Sequence, residues 1–468
     1  MSTPVLIRVF RGLAVSALLL VILVQPALSQ MPKEPERDQL LNGLRVLVWS
    51  QPGSPDLLVK LRINSGAAFD LAGKSGEMAL LGDLFFPDAS TVDFFTEELG
   101  GKLDVSVNYD SVTITMVGKA AEFEQVISVL RNGLLSTQFT PEVVTRVRDA
   151  RIKTLRDATI SPAMVADRAI AARLFDDFPY GRLAGGTPED LARVQRADLM
   201  EAHERFFNSN NATIAIVGGV TKARAIRTVR QLLGPWRKSE TIVPTTFTQP
   251  KAPDSHTLII NVPGPTSELR LAVRGLARSD SDFAASTVMA RLAQHRWQAM
   301  AAELANQPLF VRSNGYVLPG SFVMGASVST EKAADAVASA RKVIESLITT
   351  RATPEELERA KSEVVNEAVA AAAKTEAVPD PWLDADTYRF KDIQDQTSLL
   401  RAVTAADIQR VAARLFTNAA IASIVTGEAA QLKATLQGRV PYEVLGETPP
   451  PAPSPKPPTK TPSNANPR

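Results

Sequence analysis

After residue 30 this 468-residue chain reads as two copies of one unit, and no other feature constrains its fold as much. Thr140-Pro141-Glu142-Val143-Val144-Thr145-Arg146 recurs as Thr353-Pro354-Glu355-Glu356-Leu357-Glu358-Arg359. Asp198-Leu199 followed by Arg205-Phe206-Phe207 recurs as Asp407-Ile408 followed by Arg414-Leu415-Phe416. Both copies then run into an apolar strand, Ala212 to Val217 and Ala420 to Val425, ending at Gly218 and Gly427. Thr-Pro-Glu alone is a generic helix start, an N-cap with proline in the first turn. Matches that keep their order at an offset of about 210 residues indicate a duplicated unit.

Within each copy, strands and helices interleave. Arg45 to Ser50 and Leu57 to Asn64 have strand composition. Val105, Val107 and Tyr109 alternate with polar residues, as do Val112, Ile114 and Met116; Asn108 to Ser111 supplies the turn of a hairpin. Helices are expected over Glu122 to Leu135, where Phe123, Val126, Ile127, Leu130 and Leu134 share a face, then over Pro141 to Ala158, Pro162 to Phe175 and Ala197 to Phe207. The second copy has strands at Thr257 to Val262 and Glu268 to Arg274, a long helix from Asp282 to Ala305, and strands near Phe310 to Val317 and Phe322 to Ser327. Strand runs followed by helix runs predict an α+β fold: two homologous units, each an antiparallel sheet with helices packed on one face.

The units are expected at 30–237 and 256–445, joined by a Thr- and Pro-rich linker at 238–255. Residues 446–468 are mostly Pro, Ser, Thr, Lys and Asn and read as an extended tail, a spacer or a docking peptide for an envelope component. At the other end, Arg8 and Arg11 precede an apolar run from Leu13 to Val24, and Ala27-Leu28-Ser29 sets small residues before Gln30. Residues 1–29 are therefore expected to be a signal peptide cleaved before Gln30, with export to the periplasm; an uncleaved membrane anchor is the alternative.

A formal net charge of +2 and no long basic run predict no nucleic-acid partner and, after cleavage, no membrane role. The chain has no Cys and 3 His, which excludes disulfides, thiolate metal sites and cysteine nucleophiles. His203, His256 and His295 lie far apart, none with a second His one helical turn away. His203 is expected to be a surface or packing residue, and His295 to pack between helices or line a cavity. No Gly-x-Ser-x-Gly elbow or phosphate loop occurs, and Glu355 to Glu367 is expected to be a solvated helix face.

One segment carries the outline of a catalytic motif without its chemistry. Gly73-Lys74-Ser75-Gly76-Glu77-Met78-Ala79-Leu80-Leu81-Gly82-Asp83 resembles the active-site helix of the M16 zinc metallopeptidases (insulinase- and pitrilysin-like, mitochondrial-processing-peptidase-like). The resemblance extends through Leu41 to Val48, Ser65-Gly66-Ala67, Glu98 to Gly101, Pro179 to Arg182, Gly186 to Glu189 and Asn210 to Val220. In that family the helix reads His-x-x-Glu-His: two imidazoles bind Zn²⁺ and the Glu activates a water. Here those positions hold Ala79, Gly82 and Asp83, and the third ligand falls at or near Thr154, with Asp149, Arg151 and Asp157 within a turn. A methyl group and a hydrogen neither ligate zinc nor accept a proton. Asp83 and Asp157 leave at most a weak oxygen site for a hard cation.

The resemblance further implies an Arg and a Tyr, seven residues apart in the second copy, that steady a scissile carbonyl. Those positions hold Ala302 and Leu309 or Phe310; Arg312 and Tyr316, just beyond on an expected strand, are candidate substrate-binding substitutes or else a solvated Arg and a half-buried Tyr. The Gly-rich loop of some non-catalytic members is absent from Val288 to Trp297. These readings imply a pseudo-peptidase with no catalytic residue, metal or cofactor of its own. It would form chamber wall and bind extended peptides for an M16 subunit carrying His-x-x-Glu-His, the only place where zinc is expected. A peptide-binding or scaffold protein without a proteolytic partner is the alternative.

Overall fold

The computed structural model describes residues 34–301, 308–393 and 395–446. The expected signal peptide at 1–29, Ala302 and nearly all of the 446–468 tail lie outside them. The strands are β1 (Glu36–Gln39), β2 (Arg45–Ser50), β3 (Asp56–Ile63), β4 (Lys102–Val107), β5 (Val112–Lys119), β6 (Ala212–Gly218), β7 (Thr257–Asn261), β8 (Ser267–Arg274), β9 (Leu309–Asn314), β10 (Ser321–Val328), β11 (Ala422–Gly427) and β12 (Tyr442–Val444). Between the strands of the first half run α1 (Glu77–Asp83), α2 (Ala89–Asp93), α3 (Phe123–Leu135), α4 (Pro141–Asp157), α5 (Pro162–Phe175), α6 (Pro188–Leu191), α7 (Arg196–Phe206) and α8 (Lys222–Leu233). The second half holds α9 (Phe283–Met300), α10 (Ala333–Thr349), α11 (Pro354–Ala372), α12 (Asp380–Tyr388), α13 (Gln396–Ala402), α14 (Ala405–Phe416) and α15 (Ala429–Leu436).

Each half builds one six-stranded sheet, in the orders β1-β2-β6-β3-β5-β4 and β12-β7-β11-β8-β10-β9. The duplication is visible here: each half slots its late apolar strand, β6 or β11, between its first long antiparallel pair. That insertion corrects the expectation of purely antiparallel sheets. A strand placed between two antiparallel strands must run parallel to one of them; β6 runs parallel to β2, and β11 to β7. The long helix of the second half closes at Met300, short of the expected Ala305.

The second correction concerns the sheet faces. Helices of each half cover one face of its own sheet. The other face is covered by a single helix from the opposite half. Every residue of β6 and β11 is buried, because these central strands are covered on both sides. On the first sheet, Trp382 and Leu383 of α12 pack on Leu47, Trp49, Leu58, Ala215 and Val217, with Trp49 and Trp382 edge to face at 5.2 Å. On the second, Ala166, Ile170, Leu174 and Phe175 of α5 pack on Ala272, Val323, Ala422 and Ile424.

Ion pairs accompany both exchanges. Lys60 and Arg62 on β3 meet Asp380 at 2.8 Å and Asp384 at 2.6 Å, and Arg45 on β2 meets Asp386 at 2.9 Å. In the other direction Arg270 on β8, 2% exposed, meets Asp167 of α5 at 2.6 Å. The connection between the halves has no helix or strand, yet it is fastened: Ser239 and Asn210 exchange two 3.0 Å hydrogen bonds, and Phe247 packs against Phe69 and Phe178.

Truncation of the cross-half anchor tests this architecture. Trp382→Ala is expected to destabilise the protein by about 3–5 kcal/mol in denaturant titration, the range for emptying a buried aromatic site. A loss under 1 kcal/mol would mean that α12 is only loosely laid on the first sheet.

Candidate functional site

The lead-in to α1 is a structural cradle. Asp70 is buried and accepts hydrogen bonds from the Gly76 and Met78 amides, at 2.7 and 2.9 Å. Glu77 accepts one from the Leu71 amide at 3.0 Å, Lys74 pairs with Asp198 at 2.6 Å, and Ser75 bonds to Asp190. Gly76 has φ +91°, and a β-carbon there would lie 2.7 Å from Gly186 Cα, so glycine is required on both counts. Burial pushes the Asp70 carboxyl up to about 7, against the pull of its two amide donors.

This cradle aims α1 at the edge of the first sheet. Ala79 is buried, 4% exposed. Gly82 faces β4, and a β-carbon there would come within 3.2 Å of Val107 and 3.3 Å of Val105. Asp83 receives Arg151 of α4 at 2.8 Å, and the same guanidinium donates to the Gly185 carbonyl at 3.0 and 3.2 Å. Thr154 turns its hydroxyl to the Ala150 carbonyl, and Asp157 pairs with Lys153 at 2.6 Å. Asp83 and Asp157 are thus each satisfied by a different cation. Among the described residues no group of three His, Cys, Asp or Glu side chains is placed to hold a metal ion. The four positions do not fit zinc: one is apolar, one lacks a side chain, one is salt-bridged and one is a hydroxyl bonded to its own helix. Arg151, named in the sequence only as a neighbour of Thr154, is the residue that defines this place.

Beside α1 lies an open cleft between α4 and β4, lined by Phe86, Val92, Leu103, Val105 and Val147, with Arg146 and Asp104 at its rim. β4 ends the sheet order, so its outer backbone edge has no strand partner among the described residues. Leu103, Val105 and Val107 are half-buried and alternate with the exposed Lys102, Asp104 and Ser106. An extended segment laid along this edge would place alternate side chains over the apolar cleft.

Arg312 and Tyr316 do not reach this cleft. Val311 points into the core beneath α9, and the neighbouring Phe310 points to the opposite face. Arg312 lies on that opposite face, its guanidinium 4.2 Å from the Phe310 ring centroid. Tyr316 follows β9 rather than lying on it, and it packs on Tyr180 at 4.5 Å and Tyr109 at 5.1 Å. The two line a small cavity in the seam between the halves. There Asp110 accepts hydrogen bonds from the Val317 amide and the Tyr180 hydroxyl, both at 3.1 Å, and the Leu318 amide donates to Tyr180 Oη at 3.1 Å. Burial pushes Asp110 up to about 6. This is a latch between the halves, and the geometry gives Arg312 and Tyr316 no access to the edge of β4.

His203 and His295 lie between packed elements, whereas His256 is exposed and meets Asp254 at 2.7 Å. His203 stacks on Phe207 and lies 3.3 Å from the Leu134 carbonyl, and burial lowers its pKa. His295 meets Glu363 at 2.9 Å between α9 and α11. Glu356, Glu363 and Glu367 pair with Arg296, Arg291 and His295 of α9, so this face of α11 is an interhelical ion-pair seam and not the solvated face expected.

Comparison with known proteins bears on the family likeness and on the fold. Residues 193–364 match the family described as Peptidase M16 inactive domain. The chain is 24% identical over 262 residues to the probable mitochondrial-processing peptidase subunit beta of Arabidopsis thaliana, covering 53% of this chain and 48% of that one. It is 23% identical over 223 residues to human cytochrome b-c1 complex subunit 1, covering 46% of each. The chain spans about half the length of these relatives. In fold it superimposes on the peptidase M16 inactive domain from Pseudomonas fluorescens with a TM-score of 0.75 at 16% identity, over 84% of this chain and 98% of that one.

Two measurements test the site. Restoring the helix motif alone, as Ala79→His, Gly82→Glu and Asp83→His together, is expected to leave metal content after dialysis well below one zinc per chain. Arg151 would keep an unpaired cation beside the new ligands, and Thr154 offers no carboxylate. One zinc per chain in that variant would refute the reading.

The second measurement concerns pH. Asp70 and Asp110 hold their protons more tightly folded than unfolded. Their stabilisation is full below the ordinary carboxylate value of 3.8 and is lost as pH rises through about 6 and 7. His203 acts in the opposite sense over part of that range, so the reading is a difference. The thermal midpoint of Asp110→Asn is expected to gain on wild type as pH rises from 4.5 to 7.5; a constant gap would show that Asp110 does not titrate there.

Proposed function

We propose that this chain, M16-like in fold and carrying that family's inactive domain, is the non-catalytic subunit of an exported zinc peptidase. It would form chamber wall and a binding edge for extended peptide, while a second M16 subunit with His-x-x-Glu-His supplies zinc and hydrolysis. The observation that carries this reading is the pairing of a preserved cradle with a cancelled catalyst. Asp70, Gly76 and Glu77 hold α1 in place, and Ala79, Gly82, Asp83 and Arg151 leave no ligand set on it. What stays open is the edge of β4 and the apolar cleft beside it.

The recognition chemistry follows from that edge. Backbone hydrogen bonds to an unpaired strand give affinity for any extended segment, and the cleft adds preference for apolar side chains at alternate positions. Arg146 is paired with Asp88 at 2.8 Å, and the cleft's other charged residues include the Asp83–Arg151 pair beside its apolar side chains. Resemblance to a mitochondrial-processing peptidase subunit and to a cytochrome b-c1 subunit supports a role within a larger assembly.

Affinity isolation of the tagged protein from its own envelope, with a peptide-cleavage assay on the eluate, tests the proposal. A co-purifying zinc peptidase with chelator-sensitive activity is expected; a clean, inactive homo-oligomer would favour a scaffold or peptide-binding role instead. In the purified chain, Val105→Glu is expected to weaken binding of an unfolded apolar peptide by at least about tenfold, since it sets a charge where apolar contact is made. Unchanged affinity would remove β4 from the binding site.

A further inference from the structure

The outer face of α8 is basic without an internal reason. Lys222, Arg227 and Arg230 line one side of this helix next to β1, together with Ile226, Gln231 and the single acidic residue Asp38. None of the three makes an ion pair among the described residues, whereas Arg224 on the same helix is tied to Glu124. The three span about 12 Å along the axis at the helical rise of about 1.5 Å per residue. Helix stability does not account for them: the first turn of α8 holds Lys222 and Arg224 and no acid, although the positive end of a helix favours carboxylates.

Two further observations say what covers this face. The turn between β1 and β2 packs on the C-terminus of α8, where the Asn42 side-chain amide donates to the carbonyls of Leu233, Gly234 and Trp236. At the tip of that turn Leu41 is fully exposed, the most exposed large apolar side chain described. Secondly, the described chain enters at Glu34, directly before β1. Under the uncleaved-anchor alternative given above, the apolar run Leu13 to Val24, preceded by Arg8 and Arg11, would be joined to this point by nine residues, a reach of at most about 35 Å; after cleavage before Gln30 the face would bind through its own residues alone.

We infer that the α8–β1 face is a docking surface for an anionic phospholipid bilayer. Lys222, Arg227 and Arg230 meet the lipid headgroups and Leu41 reaches the headgroup–acyl boundary. The near-neutral net charge conceals this surface, because its cations are balanced by acids elsewhere in the chain. This proposal departs from the sequence-based expectation of no membrane role after cleavage. In this orientation β4, at the far edge of the same sheet, faces away from the lipid and stays open. The inference stands independently of the peptidase reading.

The test is flotation of the full chain with vesicles of phosphatidylcholine alone or mixed with phosphatidylglycerol. Preferential binding to the phosphatidylglycerol vesicles is expected, weakening as salt is raised. Lys222→Glu, Arg227→Glu and Arg230→Glu together should reduce that partition by about 100-fold, and Leu41→Ser should lower the part that survives high salt. A control with the same charge change elsewhere, Arg156→Glu, Arg351→Glu and Lys374→Glu, should bind like wild type. Equal loss in both triple variants, equal binding to both vesicle types, or no binding would overturn the inference. So would capture of an acidic protein by this face without any affinity for phosphatidylglycerol vesicles.

Discussion

The two halves are locked by exchanged helices, and most of the structure depends on that exchange. A sheet whose central strand is apolar on both sides needs cover on both sides. Neither half supplies the second cover for itself. α12 and α5 cross over to provide it, and each brings carboxylates to cations that stand on the strands beneath. Lys60 and Arg270 are nearly inaccessible to water. A buried cation without a partner is strongly destabilising, so Asp380 is a condition of folding for Lys60, whereas Arg270 has Glu268 on its own strand at 3.1 Å besides Asp167. On the first sheet the ion pairs also favour α12 as the covering helix, since an uncharged helix there would leave Lys60 and Arg62 without carboxylate partners.

Against that rigid frame the loss of catalysis is local. The loop from Asp70 to Gly76 retains buried carboxylates, a left-handed glycine and a close glycine–glycine approach, all expensive to build. The changes fall on the next two turns, where they disturb nothing: a methyl group is buried, a glycine lets β4 approach, and a guanidinium neutralises Asp83. The result is a surface with an open strand edge and, at the four motif positions, no ligand set for zinc.

Much of this was legible in the sequence. The alternation in β4 and β5, the one-sided face of α3 and the N-caps of α4 and α11 are local signals, and the structure places those elements within a residue or two. The motif positions on α1 were also readable, since they rest on residue identity alone. The parallel pairing of β6 was not, because strand order is decided by partners more than 150 residues away. The crossing of α5 and α12 was hidden for the same reason. Arg312 and Tyr316 show a subtler gap. Their spacing suggests a shared strand face, but an edge strand with apolar residues at both parities, Phe310 and Val311, does not announce which face meets the core. Arg151 was visible only as a cation near a missing ligand; its pairing with Asp83 depends on how α4 crosses α1.

The helix exchange also dictates when this protein can become compact. The first sheet is written by residue 218, yet the helix that seals its second face begins at Asp380, and Lys60 waits for a partner 320 residues downstream. During synthesis an apolar sheet face and several unpaired cations therefore stay open until nearly the whole chain has emerged. Contacts of such long sequence separation form slowly. Premature folding of the first half is thus disfavoured by the same geometry that makes the finished molecule inseparable.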